Sequence, residues 1–404
     1  MNQFSRQQDL LRIVEGLDIT PTMFNNAYEK YHALATYLTV YGIDVDVYPQ
    51  GSFALGTVVR PCAKDENACY DLDFICQVRG SRDTVDPNQL RTTIQRILED
   101  NKIYADRLTV NDECFTISYA DVGGYGFQID IVPATDESRA NKNRLMTKAQ
   151  NPGLVISAAV FPKKGSVQYE WAATNPKGYR QWFEEINKPY GTFSWKNRRA
   201  RLFEQHRQAF NSVEEIPESL NRSAVQRVIQ LLKYHRDVFF SKYQDGDDTK
   251  PISAIITTLV AQIAKTQSPT LSTFDLLEIV LQELTVYADA QRIGIHAFLQ
   301  RYGEKRMLLN SSGKWYIANP ANPEDNLADK WNENPLIPER FFRWSKAVRS
   351  DLVDSLSKDD ATFRTCAENA FGKDRVRVAW GDKYHNRSSV VIDPNQSAKP
   401  WSKT

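Results

Sequence analysis

The sequence has no Cys-x-x-Cys pair. Its five cysteines are scattered over 404 residues, and the evenly spaced Cys62, Cys69 and Cys76 have no histidine beside them. That departs from the usual zinc-ligand spacings, so they read as free buried thiols in a reducing compartment. There is no excess of either charge: 51 basic residues against 50 acidic give a net +1. No global field draws such a chain onto nucleic acid or an acidic membrane. The most apolar run, residues 252–264, is broken by Ser253, Thr257, Thr258 and Gln262 and is too short to span a bilayer. The first residues, Met1 to Arg6, lack the apolar core of a signal peptide. Asp245, Asp247 and Asp248 lack the residue order of a calcium loop. No internal repeat is visible. The expectation is a cytoplasmic protein that neither enters a membrane nor requires nucleic acid.

What the chain does have is one stretch around which the rest can be arranged. Ile43, Val45 and Val47 alternate with polar residues, which predicts a strand from Ile43 to Tyr48. Gln50-Gly51-Ser52 follows and predicts a turn into a short helix. Glycine lets a backbone approach a ligand closely. A serine at the mouth of a helix adds a hydroxyl to free N–H donors, which suits phosphate. Tyr70-Asp71-Leu72-Asp73-Phe74 predicts a second strand. At i and i+2 its two carboxylates share one face, roughly 7 Å apart along the chain. Leu72, Phe74 and Cys76 point the other way, into a core. Two ionised carboxylates so close repel, so the pair calls for a cation. Oxygen-only ligands suit magnesium or manganese.

A third carboxylate completes the pattern. Residues 127–133 alternate as a strand, with Asp130 facing away from Phe127, Ile129 and Ile131. A turn at 121–124 joins it to a strand over 115–120, which predicts a hairpin. With that hairpin beside the Asp71 strand, Asp71, Asp73 and Asp130 can bind two metals roughly 3.5–4 Å apart.

The string Gln50-Gly51-Ser52, Leu55-Gly56-Thr57, Arg60-Pro61 and Tyr70-Asp71-Leu72-Asp73, with the later Asp130, resembles the polymerase-β-like nucleotidyltransferases. Within them it is similar to the bacterial cGAS/DncV-like branch, the CD-NTases or SMODS-type synthases. The resemblance implies an α+β fold. A nucleotidyltransferase lobe, a mixed sheet with helices, is expected over residues 1–190. A helical lobe is expected over 191–385, with the active site in the cleft between them and a flexible tail over 386–404. It also implies an enzyme that joins nucleoside triphosphates, ATP among them, into a cyclic di- or trinucleotide and releases pyrophosphate in antiphage (CBASS) signalling. Two Mg2+ or Mn2+ ions would lie on Asp71, Asp73 and Asp130. Gln50, Gly51 and Ser52 would hold the nucleotide from one side, Lys233 and Ser253 from the other, with Tyr316 stacking on the base. Implied partners are an effector that binds the product and ubiquitin-like or other regulatory proteins. Nucleotide transfer to RNA or protein is the rival activity, and a catalytically dead binding module the non-enzymatic one. Near-neutral charge argues against transfer to RNA, the chain's size and helical second lobe against the minimal protein-modifying enzymes, and three intact carboxylates against the dead module.

The remaining segments give coarser expectations. Thr20-Pro21 opens a helix to Tyr41, with Tyr28, Tyr31, Leu34, Ala35 and Leu38 as its buried stripe. Asp44 and Asp46 precede the glycine turn and are expected on a solvated strand face. Residues 88–101 predict a helix, and residues 135–153 a polar surface loop. Asn175-Pro176-Lys177-Gly178-Tyr179 resembles a family turn joining the lobes. The basic run 196–207 reads as a solvated helix face. Ser223 caps a helix with Val225, Val228, Ile229 and Leu232 as its stripe and Lys233 on the stripe's border.

Overall fold

The four strand runs expected in the N-terminal half do become strands, and with three others they form one mixed sheet. They are β1 (Val45–Pro49), β2 (Cys69–Ser81), β3 (Leu108–Val110), β4 (Phe115–Tyr119), β5 (Gly126–Asp136), β6 (Ala159–Lys164) and β7 (Tyr169–Thr174). The computed structural model describes residues 3–40, 45–61, 69–119, 126–205, 222–303 and 307–385. Ile43, Asp44, Cys62, the 121–124 turn and the 386–404 tail lie outside those residues, as do the side chains of Cys69 and the 196–207 run. The sheet order is β1-β2-β5-β4-β3, and β6 and β7 continue from the end of β5. Strands β2 and β5 run parallel, while β4 and β5 form the expected antiparallel hairpin.

The helices of this half are α1 (Gln3–Glu15), α2 (Pro21–Val40), α3 (Gly51–Leu55), α4 (Pro87–Glu99), α5 (Lys102–Ala105), α6 (Arg139–Lys148), α7 (Pro152–Val155) and α8 (Pro176–Gln205). Helix α2 starts as expected, with the Met23 amide donating to Thr20 Oγ1 at 3.2 Å. Its buried stripe is Met23, Ala27, Leu34 and Leu38; Tyr28 is 47% exposed and does not belong to it. Leu90, Ile94 and Leu98 of α4 join that stripe against Leu72, Phe74 and Cys76 of β2 and Phe127, Ile129 and Ile131 of β5. Residues 135–153 are not a loop. They finish β5, turn at Ser138, which caps α6, and enter α7.

The second half is helical: α9 (Ala224–Phe240), α10 (Gly246–Thr249), α11 (Ser253–Ala264), α12 (Thr273–Ala288), α13 (Ile295–Tyr302), α14 (Asp329–Glu333), α15 (Leu336–Leu352), α16 (Asp360–Phe371) and α17 (Lys373–Trp380). Two small hairpins interrupt it, β8 (Leu309–Ser311) with β9 (Lys314–Tyr316), and β10 (Ala318–Asn319) with β11 (Asn322–Asn326). Helix α9 is buried almost all round, as a central helix must be. It starts in a capping box: Ser223 Oγ accepts from the Gln226 amide while Gln226 Oε1 accepts from the Ser223 amide. Helix α1 packs in this helical core, although residues 1–190 were expected in the catalytic lobe. There the buried carboxylate of Asp9 accepts from Lys383 Nζ and the Tyr384 hydroxyl, each at 2.5 Å. Trp380 Nε1 donates to the Asp9 carbonyl at 3.1 Å. Among the described residues no helix is long and apolar enough to cross a membrane.

Candidate active site

The parallel register of β2 and β5 places Asp73 directly beside Asp130. Asp71 lies two residues back on the same face of β2. All three carboxylic acids are harder to ionise than usual. Asp73 is pushed up to about 7, first by burial and then by the charges of Asp130 and Asp71. Burial and Asp130 likewise raise Asp71, while Lys233 lowers it. Burial raises Asp130, and a hydrogen bond from Thr116 partly offsets this. Among the described residues no three His, Cys, Asp or Glu side chains close into a ready-made metal cage. The donor set still fits hard divalent cations, because it is all carboxylate oxygen and its mutual repulsion is what such a cation relieves. Asp71, Asp73 and Asp130 would hold them.

Thr116 stands opposite Asp130 in the β4–β5 hairpin. Its hydroxyl donates to Asp130 Oδ1 at 2.5 Å and accepts from Asn111 Nδ2 at 2.8 Å. Sequence reasoning missed both residues. The signal was available, since a hairpin turning at 121–124 sets Thr116 opposite Asp130 to within about one residue.

The glycine turn and short helix are built as expected. Gln50 is extended, Gly51 has φ 60°, and α3 ends at Gly56 with φ 65°. The Gln50 amide donates to the Asp73 carbonyl at 2.8 Å, which ties the turn to the carboxylate strand. A Cβ on Gly51 would lie 2.3 Å from Asp73 Oδ2. Glycine is therefore required there for both conformation and space.

Across the cleft, Lys233 is 6% exposed and not the edge residue its sequence position suggested. Its Nζ donates to the Thr57 carbonyl at 3.1 Å. Burial and the nearby Arg236 lower it to about 8, against the pull of Asp237, Asp73 and Asp71. Ser253 opens α11, and its Oγ accepts from Arg236 Nη1 at 3.1 Å. An arginine can only donate, so the serine keeps its own proton for the cleft. Gln50, Gly51, Ser52, Lys233 and Ser253 all line one cleft, with Asn175 among the added walls. Asn175 is a buried hub: its Nδ2 donates to the Leu154 and Ala321 carbonyls, both at 2.8 Å, and its Oδ1 accepts from the Gly178 amide at 3.0 Å. Tyr316 is exposed on β9, with its hydroxyl donating to the Pro323 carbonyl at 3.4 Å. The cleft takes Asn319 from the next hairpin instead. Asp46 lies on the solvated face of β1, paired with Lys177 at 2.6 Å.

The site thus joins a glycine-serine turn, an Asp-x-Asp strand and a parallel neighbour carrying a third aspartate. Residues 45–133 match the family described as "Cyclic GMP-AMP synthase DncV-like, nucleotidyltransferase domain". That match covers under a quarter of the chain, and the fold as a whole is that of solved CD-NTase structures. It is similar to a c-di-GMP synthase of Roseivirga ehrenbergii, 25% identical over 86% of this chain and 79% of the relative. In structure it resembles the Bradyrhizobium diazoefficiens CD-NTase CdnG in complex with GTP, with a TM-score of 0.65, 18% identity, and 93% and 98% of the two chains covered. It also resembles CdnC of E. coli MS115-1 in its complex with HORMA-deltaN, with a TM-score of 0.55, 15% identity, and coverage of 91% and 97%.

Proposed function

We propose that this protein joins nucleoside triphosphates into a cyclic oligonucleotide and releases pyrophosphate, as a second-messenger synthase in antiphage signalling. The observation that carries this reading is the shared cleft: the turn at Gln50, Gly51 and Ser52 faces Lys233 and Ser253 and abuts the Asp73 carboxylate. The names of the Roseivirga and Bradyrhizobium proteins make GTP a substrate to test first, with ATP beside it. In each transfer a 2′ or 3′ hydroxyl loses its proton and bonds to the α-phosphorus of a second nucleotide, whose bond to pyrophosphate breaks. Ser52 and the turn amides grip the terminal phosphates. Lys233, with N–H donors left beyond the one given to Thr57, neutralises them from the other side. Ser253 donates the proton that Arg236 leaves free. Thr116 fixes Asp130 at one oxygen and leaves the other for the hydroxyl end of the site. Two magnesium or manganese ions, when bound, supply the charge that lowers the hydroxyl's pKa and stabilises the departing pyrophosphate. Most of the rate then comes from positioning and charge neutralisation.

The finer parts of the reading follow the resemblance: a cytoplasmic enzyme, a sheet lobe and a helical lobe, and an effector that binds the product. A HORMA-type or ubiquitin-like regulator is the partner class to test. The experiment is incubation with labelled ATP, GTP, CTP and UTP and magnesium, followed by separation of small products. Phosphatase-resistant oligonucleotides and free pyrophosphate are the expected outcome. Label transferred only to RNA or protein would overturn the reading.

A further inference from the structure

One polar stripe of α9 faces the chain segment that follows the Gly51-Ser52 turn. Gln226, Gln230 and Lys233 recur at i, i+4 and i+7, hence on one face of the helix. All three are buried. Each donates to a main-chain carbonyl in the segment that leaves the phosphate turn. Gln226 Nε2 reaches the Leu55 carbonyl at 2.9 Å, Lys233 Nζ the Thr57 carbonyl at 3.1 Å, and Gln230 Nε2 the Val58 carbonyl at 2.8 Å. The residue skipped is Gly56, where a Cβ would lie 2.5 Å from Gln226 Nε2. That glycine lets the helix come close enough to make the contacts.

The two glutamines are themselves held from behind. Gln226 Oε1 accepts from the Ser223 amide at 2.9 Å. Gln230 Oε1 accepts from Arg227 Nη1 at 3.1 Å, and its second amide proton goes to Asp18 Oδ1 at 2.9 Å. These partners fix which end of each amide faces the turn. Apolar side chains would fill the same space, but they would not choose a direction for the peptide units opposite them. Glutamine does, because a carbonyl turned away from a buried donor leaves both groups unsatisfied. The segment therefore has one orientation. Its front is tied through the Gln50 amide to the Asp73 carbonyl, and its rear is tied to α9.

We propose that this ladder sets the position of the Gly51-Ser52 turn, making Gln226 and Gln230 positioning residues for the triphosphate. The proposal rests on that turn being the triphosphate cradle. It predicts that the helical half of the molecule determines phosphate affinity through contacts that never touch the nucleotide.

Gln226→Glu tests it. Glutamate still accepts from the Ser223 amide, so the capping box survives, but it cannot donate to the Leu55 carbonyl. Equilibrium binding of ATP, GTP, AMP and GMP is measured on the full chain. Triphosphate affinity is expected to fall about tenfold, the scale of one lost buried hydrogen bond, with monophosphate affinity unchanged. Ser223→Ala is the matched control: it weakens the same helix end but leaves the turn contact, so it should lower the melting temperature without changing triphosphate affinity. Gln226→Met, similar in length and uncharged, is the second variant if the glutamate does not fold. Unchanged triphosphate affinity in the Gln226 variant overturns the proposal. An equal loss in Ser223→Ala also overturns it, because fraying of α9 would then be the cause. Ser52→Ala is run beside them, and if it binds triphosphate normally the cradle reading fails, whatever the glutamine shows.

Discussion

Asp46 and Asp73 each end an Asp-x-Asp pair, and their settings are opposite. Asp46 is exposed beside Lys177, and Asp73 is tucked against Gly51 with two other carboxylates near it. Asp73→Asn is expected to lower product formation by several decades, since metal charge contributes several kcal/mol and each ~1.4 kcal/mol is tenfold. Asp46→Asn should keep the wild-type rate, and a large loss there would mean the wrong pair was chosen. The raised acid also sets a pH dependence. Below about 7, Asp73 holds a proton in most molecules, and an incoming cation must displace it. Mn2+ affinity, read by electron paramagnetic resonance, should therefore fall about tenfold per pH unit on the acid side and level off above. Equal affinity at pH 6 and pH 8 would contradict this. Lys233→Ala should weaken triphosphate binding roughly ten- to a hundredfold and leave monophosphate binding alone. It should also lower the melting temperature, which an edge lysine would not, because it removes a buried donor from the Thr57 carbonyl.

At the scale of elements, legibility followed the strength of local patterning. The strands of the site were readable because Leu72 and Phe74 flank Asp73, Ile129 and Ile131 flank Asp130, and the glycine turn stands ahead of the first pair. Helix α6 was not, because Leu145 is its one buried residue and most of its sequence is polar. Helix α9 was half legible. Its cap and apolar stripe are local, but the partners of Gln226 and Gln230 lie about 170 positions away and no periodicity points to them. The same distance explains why Lys233 looked like an edge residue: a turn from the other half of the molecule covers it. Two element-scale expectations follow. Ser223→Ala should cost about 1 kcal/mol of stability in a denaturant melt, the usual loss for a helix cap. Thr116→Val keeps the shape of the β4 side chain and removes the donor to Asp130. It should weaken Mn2+ binding while leaving the melt nearly unchanged, whereas Thr116→Ser should restore the metal.

At the scale of the whole molecule the chain does not divide at one point. Residues 45–174 build the sheet, and the helical core takes α1 from the chain's beginning together with α8 to α17. The contact between Asp9 and the Lys383–Tyr384 pair joins positions more than 370 residues apart. During synthesis that separation becomes a delay. At about 5–20 residues per second, roughly 20–75 s pass between the emergence of α1 and that of α17. Through that interval Leu10, Ile13, Val14 and Leu17 lack part of the surface that buries them. The apolar core of the sheet half has no such debt, since its members all lie within the first 171 residues. Nascent chains stalled before Lys373 should thus yield a protease-resistant sheet fragment while α1 is still cut, and resistance at α1 should arrive only once the last helix has cleared the ribosome.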